Sequence, residues 1–517
     1  MRSWPITISW PCGPMVSGVW TWAVQFAQHL VERGREVRLV THGWKPDAGR
    51  PVGEQLGMAP GVKPRFKLIC GPPLFDPDQW ETCCKLYRRL TPTLLLPNSV
   101  AQSYAPAARL ALEDPRRIRV AGWHHSDDPY HYQHLTEYEP IVHRFVSVSR
   151  FCASALAARL PHREADIVHL PYGIILPPAS QRELPIGRPL RLVYAGRMEQ
   201  LQKRVMDFVP LARGLDQQGV RFQLRLVGYG SKADELRRGL EEVCRQFKDP
   251  RNAAWLEPPV PHSRIKEVWY WADVSVLVSE FEGLCISMLE SMACGCVPVV
   301  TRVASGVSDL LRDGENGLTA KIGDIPTMVA HIQRLQNDPQ LWERMSRRAR
   351  QTVAEYCDYE RYIDRALGIL DAVAELPPRP WPADRDLPYP KSAEPVLPPE
   401  TFGRLRDLLR HIAEQGGGPV AIFCAGKHTR ALREVWEQSP VPIVAVIDEQ
   451  ARRGARLWHW PVVRPRQIAK TGARAVIISS WMHEEDIWRR HHFALESAGV
   501  QMYRLYADTP VPAAATA

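Results

Sequence analysis

Ser279-Glu280-Phe281-Glu282-Gly283-Leu284-Cys285-Ile286-Ser287-Met288-Leu289-Glu290-Ser291-Met292-Ala293-Cys294-Gly295-Cys296-Val297-Pro298-Val299-Val300 is the run from which the rest of the chain can be read. Residues 274–278, just before it, are apolar and β-branched, as in a strand buried on both faces of a parallel sheet. Residues 297–301 form a second such run. A loop and a short helix separate them. Ser287 stands three residues before Glu290, a capping-box spacing that predicts a helix start at Ser287. Gly295 fits the position just past the helix end. The run is therefore one βαβ unit, with its loop at the carboxyl ends of the strands, where open α/β sheets bind ligands.

Two carboxylates frame that loop. Glu282 lies past the first strand and Glu290 in the first helical turn. Ionised carboxylates only accept hydrogen bonds, so they suit sugar or ribose hydroxyls. Loop and helix N-terminal amides suit phosphate oxygens. On spacing alone, Glu290 could equally close a capping box and Glu282 be a solvated loop residue.

The Glu282/Glu290 pair reproduces the E-x7-E signature of retaining glycosyltransferases with the GT-B fold, and the chain resembles glycosyltransferase family 4. Residues 293–300 and Asp313-Gly314-Glu315-Asn316-Gly317-Leu318 are similar to that family too. The resemblance implies that Glu282 contacts the donor sugar and Glu290 the nucleotide ribose. It extends donor contact to Gly283, Leu284 and Cys285, although Cys285 stands where the family often has glycine.

Further residues fit the same order along the chain. Strand 6–10 runs into Pro11-Cys12-Gly13-Pro14-Met15-Val16-Ser17-Gly18, then a helix over 19–33. A glycine-containing strand-to-helix loop lets backbone approach a phosphate, as would an ordinary flexible turn. The resemblance places Gly13 and Gly18 near the donor diphosphate. Strand 118–121 leads into His124-His125-Ser126-Asp127-Asp128, a capped surface loop by spacing. By resemblance it is a strand end whose histidine, His125 with His124 as the alternative, reaches a donor hydroxyl. Strand 190–195 leads into Gly196-Arg197-Met198-Glu199-Gln200-Leu201-Gln202-Lys203-Arg204. Arg197 and Lys203 can set fixed positive charge on a diphosphate, although alone the run reads rather as a solvated basic turn. The family's order favours the diphosphate, with Lys203 matching the family lysine and Arg204 an adjacent competitor. Strand 222–227 ends at Gly228-Tyr229-Gly230, where the family often has paired glycines and a tight turn would look the same. The resemblance thus implies catalytic roles for Glu282, Arg197, Lys203 and His125, and donor binding by Glu290, Gly18, Gly13, Gly283, Leu284, Cys285 and Gly228.

The 517 residues leave room for three domains. The expected class is α/β: a GT-B pair of Rossmann-like domains facing a cleft, plus a small third Rossmann-like domain. The expected boundaries are an acceptor-side domain over 1–178, a donor-side domain over 189–352, and a helix crossing back over 353–374, with the helical pattern itself running over 352–373. A Pro-rich linker follows over 375–399, an accessory domain over 400–508 and a disordered tail over 509–517. In the accessory domain, Gly426-Lys427-His428 and Asp448 suggest a nucleotide turn without the G-x-G-x-x-G pattern. His483-Glu484 lacks a partner histidine at metalloprotease spacing. A structural or docking role weighs slightly more for this domain.

Net charge is +9, with basic clusters at 85–89, 116–119, 344–350 and 452–456. They lack the interleaved aromatics of a nucleic-acid platform. Solvated faces are expected first, peripheral membrane contact second and nucleic acid last. No run of about 18 apolar residues is present, and the N-terminus reads as a strand rather than a signal core. A cytoplasmic protein is expected, at most peripheral to the inner face of the membrane. The eleven cysteines lack metal-ligand spacing and read as free thiols. Asp76-Pro77-Asp78 and Asp384-Arg385-Asp386 have Asp-x-Asp spacing but fall in a loop and the linker. No metal or other cofactor is expected. The expected partners are a UDP- or GDP-sugar donor and a glycan or lipid-linked acceptor. A GT-B epimerase or phosphorylase, or a non-catalytic nucleotide-sugar sensor, are the alternatives.

Overall fold

A computed structural model describes residues 4–506 except 16, 77–78, 99, 179–181, 304, 389–396, 398, 450, 452–453 and 481–483. The chain divides into two compact units, Met1–Tyr389 and Pro390–Ala517.

The first unit holds two parallel sheets. One comprises β1 (Ile6–Trp10), β2 (Val37–His42), β3 (Lys67–Gly71), β4 (Thr93–Pro97), β5 (Ile118–His124), β6 (Arg144–Ser147) and β7 (Ile167–His169), in the order β3-β2-β1-β4-β5-β6-β7. The other comprises β8 (Leu190–Ala195), β9 (Phe222–Val227), β10 (Ala253–Glu257), β11 (Val274–Leu277), β12 (Val297–Thr301) and β13 (Leu318–Ala320), in the order β10-β9-β8-β11-β12-β13. In each sheet the strand order reverses once, between β1 and β4 and between β8 and β11. At such switch points the loops diverge and leave a crevice. β11 and β12 are buried along their whole length, as their unbroken apolar runs require.

The GT-B architecture follows from the chain's return. The predicted single helix over 352–373 is two helices, Pro339–Tyr356 and Tyr359–Glu375. Asp358 caps the second by accepting from the Arg361 amide, so the chain turns there instead of running straight. The second helix lies on the first sheet's domain. Trp22 Nε1 donates to Tyr362 Oη at 2.6 Å, and Arg33 pairs with Glu360 and Asp364. A Cβ on Gly173 would fall 2.6 Å from the Tyr362 side chain, so this crossing needs glycine.

The expected linker over 375–399 is corrected in its first half. Through residue 388 the chain is strapped to the first domain. Trp381 is buried in a cluster with Tyr138, whose hydroxyl donates to the Pro388 carbonyl at 2.6 Å. Arg379 donates to Pro140 O and Arg385 to Glu137 O. A buried Trp is worth about 3–5 kcal/mol by truncation, ample to hold a strap. Proline content signalled an extended chain, but it did not signal what the chain lies against. Most of the remaining linker, and the tail over 509–517, lie outside the described residues.

The second unit has one mixed sheet. It comprises β14 (Val420–Phe423), β15 (Ile443–Ile447), β16 (Arg456–Leu457), β17 (Trp460–Val463), β18 (Ala475–Ile478) and β19 (Gln501–Arg504), in the order β16-β17-β15-β14-β18-β19. Only the β16–β17 pairing is antiparallel.

Candidate functional site

The loops after β8 and β11 meet at the switch point of the second sheet. Gln202 knits them together: its carbonyl accepts from the Glu280 amide at 2.8 Å, and its side-chain amide donates to Phe281 O at 3.2 Å. Lys203 Nζ then reaches Glu282 Oε1 at 2.6 Å, and Ser279 Oγ donates to the same oxygen at 2.7 Å. Both charged groups are largely buried, with side-chain exposures of 14% and 8%. Burial alone pushes the Lys203 ammonium toward neutrality. The charge and hydrogen bond of Glu282 outweigh that and hold its pKa above the ordinary lysine value. Arg204 turns the other way, to Asp207 and Glu280. Of the two adjacent cations, Lys203 is therefore the inward one. The Arg197 guanidinium sits at the rim, 41% exposed, bonded to Glu199 and the Gln202 side chain.

Gly228 has a packing reason. A Cβ there would fall 1.9 Å from the Gly196 carbonyl oxygen. It lets the β9 turn press against the Arg197 loop.

The capping-box expectation is corrected. The helix is Ile286–Ala293, with Cys285 at its N-cap and no side-chain cap bond. Ser287 Oγ instead meets Cys285 Sγ at 3.2 Å. Gly295 does stand past the helix end with φ +79°. Released from capping, Glu290 is bonded by His262 Nε2 at 2.6 Å. His262 Nδ1 in turn lies 3.4 Å from Gln25 Nε2, on the first domain's helix Gly18–Glu32. Burial lowers the His262 pKa, but Glu290's charge and hydrogen bond overcome it and leave it raised. Sequence reasoning missed His262. It follows Pro258-Pro259-Val260-Pro261 and stands 28 residues before Glu290. That contact is purely tertiary and leaves no periodic signal.

The first domain closes over this loop. A Cβ on Gly283 would fall 2.2 Å from the His125 carbonyl oxygen, so the two strand-end loops touch through bare backbone. Gly18 opens the first helix after the Ser17 cap, and a Cβ there would lie 3.2 Å from Ile286 Cδ1. Gly13 lies further off, packed against the Trp44 ring. The His125 imidazole points inward. Nδ1 meets Tyr172 Oη at 2.7 Å, Nε2 meets Asn98 Oδ1 at 2.9 Å, and the ring edge packs on Trp22. Burial holds its pKa well below the ordinary value, so the ring is neutral. Here both its nitrogens are engaged within the domain, and its backbone is what faces the donor loop. His124 is wholly buried on Ser147 and the Tyr132 ring. Leu284 is buried, and burial with Glu282's charge raises the Cys285 thiol to about 11, so it stays protonated.

Among the described residues, no cluster of three or more His, Cys, Asp or Glu side chains has metal-site geometry, and no helix is long and apolar enough to cross a membrane. Asp384 and Asp386 are exposed on the strap. Residues 77–78 of the other Asp-x-Asp lie outside the described residues.

Two parallel sheets with facing switch points, a basic loop and a paired-carboxylate loop define a GT-B glycosyltransferase site. The family description "Glycosyltransferase Family 4" matches residues 16–176, and "Glycosyl transferases group 1" matches residues 189–338. This places the chain among the GT-B glycosyltransferases of family 4. Its segments are similar to a putative colanic acid biosynthesis glycosyltransferase, WcaL, of Salmonella typhimurium, 29% identical over 178 residues. They are also similar to a putative glycosyltransferase, EpsD, of Bacillus subtilis, 32% identical over 114 residues. These matches cover 33% and 22% of this chain and only 42% and 29% of those relatives' own length. The fold is like that of a point mutant of S. aureus TarM, solved with fondaparinux, α-GlcNAc-glycerol and UDP. That likeness has a TM-score of 0.59 and 12% identity, and covers 71% of this chain and all of that one.

Proposed function

We propose that the chain transfers a sugar from a nucleotide-sugar donor to a glycan or lipid-linked acceptor, with retention and without a metal ion, in polysaccharide or glycoconjugate assembly. The observation that carries this reading is the Lys203–Glu282 pair at the β8/β11 switch point, flanked by Arg197 and by Glu290 on His262. In the reaction the bond between the anomeric carbon and the diphosphate breaks, and one to the acceptor oxygen forms on the same face. The acceptor proton passes to the departing phosphate oxygen. Positive charge grows on the sugar while negative charge grows on the diphosphate. Lys203 and Arg197 offer fixed charge to that diphosphate, and fixed charge needs no reorganisation as the bond breaks. Glu282 accepts from donor-sugar hydroxyls and Glu290 from the ribose diol. UDP- and GDP-sugars are the donor classes proposed, and the like-folded TarM structure contains UDP. A lipid-linked acceptor would bring the protein to the inner face of the membrane, where its net charge of +9 favours anionic lipid.

Titration calorimetry with UDP, GDP and ADP tests the site. One nucleotide should bind tightly to the wild type and at least about tenfold more weakly to Glu290→Ala. If none of the three binds, the transferase reading fails.

A further inference from the structure

The second unit concentrates its buried polarity at one end of its sheet. Among its described residues, the buried polar side chains are Thr401, His428, Thr429, Ser479, Ser480 and Glu484. Five of the six stand just past the carboxyl ends of β14 and β18. Those are the strands between which the order reverses, and so the place where doubly wound sheets bind ligands. Buried polar groups are costly unless bonded, and a domain serving only as packing would fill this end with apolar side chains.

The local geometry points to the same place. His428 Nδ1 meets Ser479 Oγ at 3.0 Å, and Nε2 meets Tyr506 Oη. Burial holds the His428 pKa near 4, so the ring is neutral and works as a hydrogen-bonding group. Cys424, directly after β14, holds φ +90° without being glycine. Such strain costs about 1–3 kcal/mol and collects at ligand clamps. Thr429 Oγ1 donates to the Cys424 carbonyl at 2.6 Å and stabilises that turn. Asp448, just past the neighbouring β15, accepts from the Ala425 amide at 3.2 Å. It stands 22 residues after Gly426, close to the spacing at which Rossmann sheets place their ribose-binding acid. Beyond Gly426 the space is open among the described residues: a Cβ there would meet none of their atoms within 4 Å, its chain neighbours aside.

We propose that this unit binds a second nucleotide at the carboxyl ends of β14, β15 and β18, with the ribose diol on Asp448 and the rest of the ligand passing over Gly426 toward His428 and Ser479. The site is independent of the one between the first two sheets. It makes the unit a sensor or a donor-holding module rather than a spacer.

The test is calorimetry of the full chain with UDP, GDP, ADP and NAD+, using the wild type, Arg197→Ala with Lys203→Ala, and Asp448→Asn. Asparagine keeps an acceptor for the Ala425 amide but loses the charge. The expected result is one nucleotide whose binding survives the double substitution and weakens at least tenfold in Asp448→Asn. Gly426→Val is the second probe. Its side chain starts where no described residue stands within 4 Å, so it should abolish that binding while the melting midpoint stays within a few degrees of wild type. The proposal is overturned if none of the four binds the Arg197/Lys203 variant, or if binding is the same with Asp448→Asn and with Gly426→Val.

Discussion

The two domains facing the cleft differ in the titratable groups they place at and behind it. The domain of the second sheet pairs its charges: Lys203 with Glu282, and His262 with Glu290. The domain of the first sheet buries histidine rings neutral. His124 is held at about 3, His131 at about 4 and His143 at about 3, all chiefly by burial. The difference teaches where the chemistry must be electrostatic. Under the proposed function a departing diphosphate would meet the fixed cations, whereas the facing wall presents the His125 backbone, held rigid by the neutral aromatic core behind it.

Acid should break the comparison most strongly. A histidine whose folded pKa lies below its unfolded value of about 6.5 takes up a proton more readily when unfolded, so stability falls as pH drops from 6.5 toward the folded value. At pH 5, each of His124, His131 and His143 should cost about 2 kcal/mol. Hydrogen exchange at pH 5 against pH 7.5 should show protection lost in 118–147 before 190–300. Equal loss in both would mean that these rings are hydrated rather than buried. On the donor side, Lys203→Ala leaves Glu282 buried beside Ser279 alone, at a cost of about 3–5 kcal/mol. Transfer or donor hydrolysis should fall at least about 100-fold, with Lys203→Arg recovering part. A loss under tenfold would remove Lys203 from the chemistry.

The smallest effect sharpens the comparison. Since the folded His262 pKa is raised, protonated His262 steadies Glu290 below that pKa, and the benefit fades as pH rises through it. Nucleotide affinity should decline over that rise in the wild type. In His262→Gln it should be about fivefold weaker at pH 6.5 and flat with pH. A His262→Gln profile parallel to wild type would leave His262 a merely structural contact.

Local pattern and tertiary contact divide the chain's legibility. The β-branched runs at 274–278 and 297–301 read as buried strands and Gly295 as a helix end, and both readings hold in the fold. Lys203 and Glu282 are marked by the resemblance to family 4, whose order of basic loop and paired glutamates they follow. The edge strands Lys67–Gly71 and Ala253–Glu257 leave little pattern in the sequence because they are partly exposed, and Leu318–Ala320, though buried, is too short at three residues to show a period. Ser287 to Glu290 looked like a capping box because the spacing is local. Glu290 went elsewhere because His262, 28 residues away, offered a stronger, charge-assisted partner.

Short stretches of the chain carry its parallel βαβ units and, through their resemblance to family 4, the GT-B class and the charged groups of interest, since strand burial, glycine positions and motif order are local properties. Only the tertiary structure decided which partner each group meets. Lys203 turns inward while Arg204 turns out. His125 faces its own core while its carbonyl meets Gly283, and Trp381 makes a strap of what composition marked as linker. Those outcomes depend on surfaces brought together from distant parts of the chain, where contact energies of a few kcal/mol outweigh any local preference.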